Sequence, residues 1–228
     1  MGEFLRASLI DPVDRDHRQS EHDFRRRQII TGVVTLIGAG LLGWGLNTEP
    51  GSTSFYVATF AVAGVWTVGA FASGPLHLGR IRGRPTPRRP LRAPLLIGLG
   101  LAAVFVLGAV VVRQITVLEG AVDDLLAFIR QGSGPLVLLI LVVNGIAEEL
   151  FFRGALYAAV PRRQVVVTTF VYTLATVASG NLMLGFAALV VGLVVGLQRA
   201  ASGGVLAPII THLSWSVSMF LVLPVLFD

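Results

Sequence analysis

Residues 134–156 read GPLVLLILVVNGIAEELFFRGAL. From Pro135 to Ala147 the only polar side chain is Asn144; two glutamates then follow side by side, Glu148 and Glu149, with Arg153 one helical turn further on. An apolar run of this kind, closed by charges, is the pattern of one bilayer crossing, which takes roughly 20 residues. A charged side chain at bilayer depth costs about 2.5–3.5 kcal/mol on insertion scales, so acids placed there call for a reason.

The remainder of the chain has the same character. Of 228 residues, 54% are hydrophobic and 14% charged, and the mean hydropathy is +0.77. A soluble domain carries about 25% charged residues, so the composition argues against a water-soluble globule. Apolar stretches recur at 28–46, 54–73, 93–112, 135–152, 165–178, 182–198 and 204–223. They predict an all-α polytopic membrane helix bundle of about seven transmembrane helices. The fifth is short, roughly 21 Å of helix against about 30 Å of hydrocarbon, which calls for tilt, local thinning or a water-filled surrounding. Cysteine is absent, which removes disulfides, cysteine nucleophiles and thiolate metal sites.

All 18 basic residues are arginine, and the pI is near 10.9. With a cytoplasmic N-terminus, six arginines precede the first span, six lie in the 74–92 loop, three follow the fourth span and one follows the sixth. Only Arg113 and Arg130 fall outside, as the positive-inside rule requires. The basic balance therefore reports topology, and no nucleic acid is expected as a partner.

Residues 1–27 balance six arginines against six acids and lack an apolar core for a signal peptide. They read as a charged, solvated cytoplasmic tail. Residues 28–112 supply three accessory transmembrane helices, and the core is expected over 113–228. Within the 74–92 loop, residues 80–92 (RIRGRPTPRRPLR) form an extended basic connection. That connection is either a topogenic cluster or a contact for anionic lipid or acidic substrate. Between 114 and 130, Ile115, Leu118, Val122, Leu125, Leu126 and Ile129 recur at helical spacing, with Glu119, Asp123 and Asp124 largely on the other side. This predicts an interfacial amphipathic helix.

Acids occur within the expected spans only at Glu148 and Glu149. Arg153 follows Glu149 by four residues, so the two share a helical face and can pair. Glu148 points about 100° away and has no such partner in the sequence. An unpaired carboxylate in an apolar, partly wet cavity suits a general base. The structural alternative is that all three groups end the span at the cytoplasmic interface, where charges snorkel. His212, in LAPIITHLSWSVSMF, is the one histidine within an expected span; such a residue is either a helix–helix hydrogen-bonding group or part of a site. Glu148 lies roughly 7 Å above Arg153 and His212 roughly 12 Å above the start of its span, so both fall in the cytoplasmic half.

EELFFRGALYA, the glycine-rich GFAALVVGLVVGL and GGVLAPIITH, in that order over about residues 134–224, resemble the CPBP family. This is the CAAX protease and bacteriocin-processing (Abi) group of intramembrane proteases. The resemblance implies an intramembrane endopeptidase in which Glu148 activates water, Glu149 and Arg153 form the supporting pair, and His212 binds or polarises the oxyanion. It thus points to Glu148, His212 and Glu149 as the catalytic group, with Arg153, Thr176 and Ser216 supporting. Two positions depart from the family pattern. The second motif, FxxxH, aligns with Tyr172 to Thr176, placing threonine where the family has histidine. Ser216 replaces the asparagine four positions after the third-motif histidine. A hydroxyl can donate or accept a hydrogen bond but carries no positive charge; nearby Ser179 and Asn181 could compensate only from a helix end.

A divalent metal, zinc, enters only through the resemblance: HExxH is absent, and Glu148 with His212 offers two ligands where zinc enzymes use three or more. The expected partners are a membrane-associated protein or peptide substrate and the lipid bilayer, in the cell membrane of a prokaryote, with oligomeric state open. The alternative is a catalytically degenerate member that scaffolds a membrane partner. A transporter would need discontinuous helices or a polar pathway. Rhomboid chemistry lacks its GxSG, and no aspartate lies in any expected span for aspartyl chemistry.

Overall fold

The computed structural model describes residues 2–13, 19–80 and 89–227. These form helices α1 Gly2–Leu9, α2 Glu21–Leu46, α3 Thr53–Ser73, α4 Arg92–Val112, α5 Thr116–Gln131, α6 Gly134–Glu148, α7 Tyr157–Ala159, α8 Gln164–Val177, α9 Leu182–Ser202 and α10 Leu206–Leu226. A π-helical stretch, Glu149–Leu156, joins α6 to α7, so Gly134–Ala159 is one continuous rod. No strand occurs among the described residues. Six helices are long and apolar enough to cross a membrane: α2, α3, α4, the Gly134–Ala159 rod, α9 and α10. The expected fifth crossing is α8, apolar but only 14 residues long. The chain is a polytopic helical membrane protein.

Local chemistry sets the helix ends. Ser20, Ser52 and Asn181 cap α2, α3 and α9, each side chain accepting a backbone N–H three residues on. Pro135 opens α6 where its missing N–H is harmless. Gly203 closes α9 with φ 70°, a left-handed position at which glycine carries no Cβ penalty.

Helices pair as α2 with α3, α8 with α9 and α4 with α10, while the Gly134–Ala159 rod runs between α3 and α10. Lipid-like tails give no hydrophobic drive between helices, so close van der Waals packing must hold them. Glycines permit it: a Cβ at Gly38 would collide with the Trp66 ring, and one at Gly185 would meet Val177. Trp66 stacks on Phe151 at 4.6 Å and tilts against Phe152 at 5.0 Å, building an aromatic core behind the rod. Helix α5 is the expected amphipathic helix; it buries Val122 and Leu126, and it contacts α4, α6, α9 and α10.

The N-terminal region differs from the expected solvated tail. Helix α1 packs against α9 and α4, Ser8 is buried, and the Val13 N–H donates to the Ala201 carbonyl at 3.1 Å. Helix α2 also begins at Glu21, seven residues before the apolar run, because Ser20 caps it and Glu21 and Asp23 suit the positive end of its dipole. Of the basic connection 80–92, positions 81–88 lie outside the described residues. The segment leading into it is anchored: Val205 N–H donates to the His77 carbonyl, Leu206 N–H to that of Leu78, and Arg80 N–H to that of Ser202.

Candidate active site

Glu148 closes α6 and Glu149 opens the π-helical stretch. Adjacent residues diverge by about 100° round a helix, so the two carboxylates leave the rod in different directions. π-Bulges within α-helices concentrate at functional sites because one extra residue per turn re-aims the side chains. This one spans the whole Glu149–Arg153 segment.

Glu149 and Arg153 are fully buried and paired, with Arg153 Nη1 donating to Glu149 Oε1 at 3.2 Å. The expected pair therefore exists, but it is not an interfacial, snorkelling one, because both side chains are sealed between helices. Arg153 Nη2 also donates to the Gly192 carbonyl of α9 at 3.2 Å, and its guanidinium lies 4.5 Å from the Tyr172 ring centroid. A Cβ at Gly192 would stand 3.1 Å from Arg153 Nη2 and 3.2 Å from Tyr172 Cδ1, so that glycine makes the room. From below, Arg199 Nε donates to the Arg153 carbonyl at 2.6 Å, which ties α9 to the widened backbone.

His212, one-third of the way along α10, places Nδ1 2.8 Å from Glu149 Oε1. An ionised carboxylate only accepts, so beside Arg153 this geometry puts the proton on Nδ1 and leaves Nε2 as the nitrogen able to address a ligand. Glu148 is not the unpartnered acid its sequence context suggests. The Tyr172 hydroxyl of α8 donates to Glu148 Oε2 at 2.7 Å. Tyr172 stood in the sequence only as the first position of a motif, and no spacing rule could bring residue 172 to residue 148.

Glu148, Tyr172 and His212 open onto one cavity of about 640 Å³, together with Asn144, Thr176 and Ser216. Its other walls are mainly apolar, including Phe105 of α4, Leu126 of α5 and Val191 of α9. A large apolar cavity with a few convergent polar groups is the usual form of a ligand site. Thr176 lines it, but its hydroxyl donates to the Tyr172 carbonyl at 2.9 Å, a bond within its own helix. Ser216 reaches the cavity from α10, one turn beyond His212. Asn144 Nδ2 donates to the Ile140 carbonyl at 3.0 Å. Asn181 and Ser179 do not substitute at the site. Asn181 caps α9, and its Nδ2 donates to the Ala121 carbonyl at 2.7 Å, securing α5.

The donor set does not fit a zinc centre. Among the described residues no three of His, Cys, Asp and Glu converge as a metal-binding group. Glu149 is committed to Arg153 and His212, and the Thr176 hydroxyl is spent on its own backbone. That leaves Glu148 and His212, against the three protein ligands of catalytic zinc sites.

No curated protein and no solved structure matches this chain at a significant level. One family model does match: type II CAAX prenyl endopeptidase, Rce1-like, over residues 130–218. That span contains Glu148, Glu149, Arg153, Tyr172, Thr176, His212 and Ser216, the residues gathered round the cavity and behind it. Over residues 130–218, then, this membrane protein is similar to the CAAX protease, or CPBP, family.

Proposed function

We propose that the chain is an intramembrane endopeptidase that hydrolyses a peptide bond of a membrane-associated protein or peptide near the cytoplasmic face. The observation that supports this most is the shared cavity: Glu148 and His212 open onto it from different helices, and Glu149 orients the histidine from behind. Glu148 takes a proton from a water in the cavity, and the oxygen attacks the peptide carbonyl. His212 stabilises the oxyanion that forms as the imidazolium, with Nδ1–H kept on Glu149 and Nε2–H donating to the oxyanion. As the C–N bond breaks, the proton held on Glu148 passes to the leaving amine, which returns the carboxylate. Glu149 and Arg153 hold the imidazole ring in place and take no part in the bond changes. The proposed setting is multi-pass insertion in a prokaryotic cell membrane; the arginine sorting supports its sidedness, with the basic loops on the cytoplasmic face.

The test needs no prior substrate. Membranes from cells making the parent chain or its Glu148→Ala variant are compared for new protein N-termini by mass spectrometry, alongside a prenylated CAAX-type peptide probe. Cleavage sites, in the membranes or the probe, that appear only with the parent support the reading; identical termini from both, with the probe uncleaved, sink it.

A second reading is a catalytically degenerate scaffold, and the bond of Thr176 to its own helix favours it. It is supported by a stable complex with a membrane protein that forms without cleavage and persists in Glu148→Gln.

A further inference from the structure

The cavity has two hydroxyl groups on α8, one turn apart, and only one of them meets the carboxylate. Thr176 turns its hydroxyl back to the Tyr172 carbonyl, whereas the Tyr172 hydroxyl reaches Glu148 Oε2 at 2.7 Å. Tyr172 is held on three sides. Its ring faces the Arg153 guanidinium at 4.5 Å, meets the Phe152 ring at 4.9 Å and packs closely on Gly192, where a Cβ would stand 3.2 Å from Tyr172 Cδ1. A phenol so confined cannot follow the carboxylate if it rotates, so the carboxylate must conform to the phenol. Among the described residues no protein group donates to Glu148 Oε1, the oxygen left to the cavity.

We infer that Tyr172 is the positioning residue of the site: its hydroxyl holds Glu148 Oε2 and thereby presents Oε1 to the attacking water. The inference rests on the reading of Glu148 as the base. It assigns α8 a role through residue 172 in place of residue 176. Arg153 then serves both acids, pairing with Glu149 directly and bracing, through the Tyr172 ring, the group that orients Glu148. A site held this tightly gains its rate from geometry, and a displacement of about 1 Å costs about 100-fold.

The test is Tyr172→Phe, which keeps the ring and its contacts and removes one oxygen. At the cleavage sites found with the parent chain, kcat is expected to fall about 10- to 100-fold with KM within about twofold. The Tyr172→Phe, Glu148→Gln double variant should be no slower than Glu148→Gln alone, because the hydroxyl acts through that carboxylate. Infrared spectra of the purified protein supply a readout that needs no substrate. The carboxylate band that disappears in Glu148→Gln should move in Tyr172→Phe and stay in place in Thr176→Val. Parent-like kcat in Tyr172→Phe, a rise in KM alone, or an unmoved carboxylate band overturns the inference. Retained cleavage in Glu148→Ala overturns the proposed function instead, and the infrared arm still decides whether Tyr172 holds Glu148.

Discussion

Nδ1 of His212 lies 2.8 Å from Oε1 of Glu149, the same oxygen that Arg153 Nη1 reaches at 3.2 Å. One buried carboxylate oxygen thus joins α10 to the π-helical stretch and neutralises its own charge while doing so. Its other oxygen, Oε2, has no hydrogen-bond partner, so the pair depends on Oε1 alone. Breaking a buried ion pair by removing one member leaves an uncompensated charge and costs about 3–5 kcal/mol. Arg153→Met should lose about that much, read as denaturant unfolding in detergent micelles. Parent-like stability would show that the pair is dispensable.

Gly192 is the position where α9 yields space to Arg153 and Tyr172. Gly192→Val forces a branched side chain into contacts already at 3.1–3.3 Å for a single Cβ. Overpacking of this kind costs about 1–3 kcal/mol, and here it also displaces the groups behind both acids. Cleavage should therefore fall further than stability, which paired activity and melting measurements can separate.

Thr176→Val should be nearly silent. The hydroxyl it removes bonds only to its own helix backbone, whose carbonyl keeps its helical partner. Cleavage within about twofold of the parent is expected, on the scale of a local side-chain to backbone bond in a helix. A large loss would show that Thr176 addresses the cavity and not its own helix.

Gly204 sits where the chain leading into the basic loop crosses the start of α10. A Cβ there would collide with the backbone of Leu78 and Gly79, so Gly204→Ala must part the two segments. The N–H bonds from Val205 to the His77 carbonyl and from Leu206 to that of Leu78 should be lost with it. Trypsin should then cut at Arg80 sooner than in the parent. Equal cleavage rates would mean that the crossing tolerates the methyl group.

His77, in that same crossing, answers to pH. Burial pushes its imidazole below the usual 6.5, and the positive charges of Arg199 and Arg27 push the same way. The unfolded chain therefore binds a proton that the fold resists, and stability falls as pH drops below about 6.5. Melting temperature should decline between pH 7.5 and pH 5.5, with a shallower decline in His77→Gln. The same slope in both proteins would assign the effect to other groups.

Periodicity, apolar length and arginine placement were enough to find the spans, because a bilayer imposes a one-dimensional rule on any sequence that crosses it. The pair Glu149–Arg153 was equally legible, since four residues along a helix bring two side chains together whatever surrounds them. The N-terminal helix was less so. Its balanced charges read as solvated, yet a few residues such as Ser8 find a groove along α9 that only the assembled bundle provides.

The sequence by itself determined the membrane class, the order of the helices and the rarity of Glu148 as an acid in an apolar run. The tertiary structure decided which helix answers that acid. Residues 148, 172 and 212 are separated by distances along the chain that no local rule can bridge, and they meet because α8 and α10 lie against the same widened turn. The partners of the two acids were chosen by packing, Tyr172 of α8 for Glu148 and His212 of α10 for Glu149.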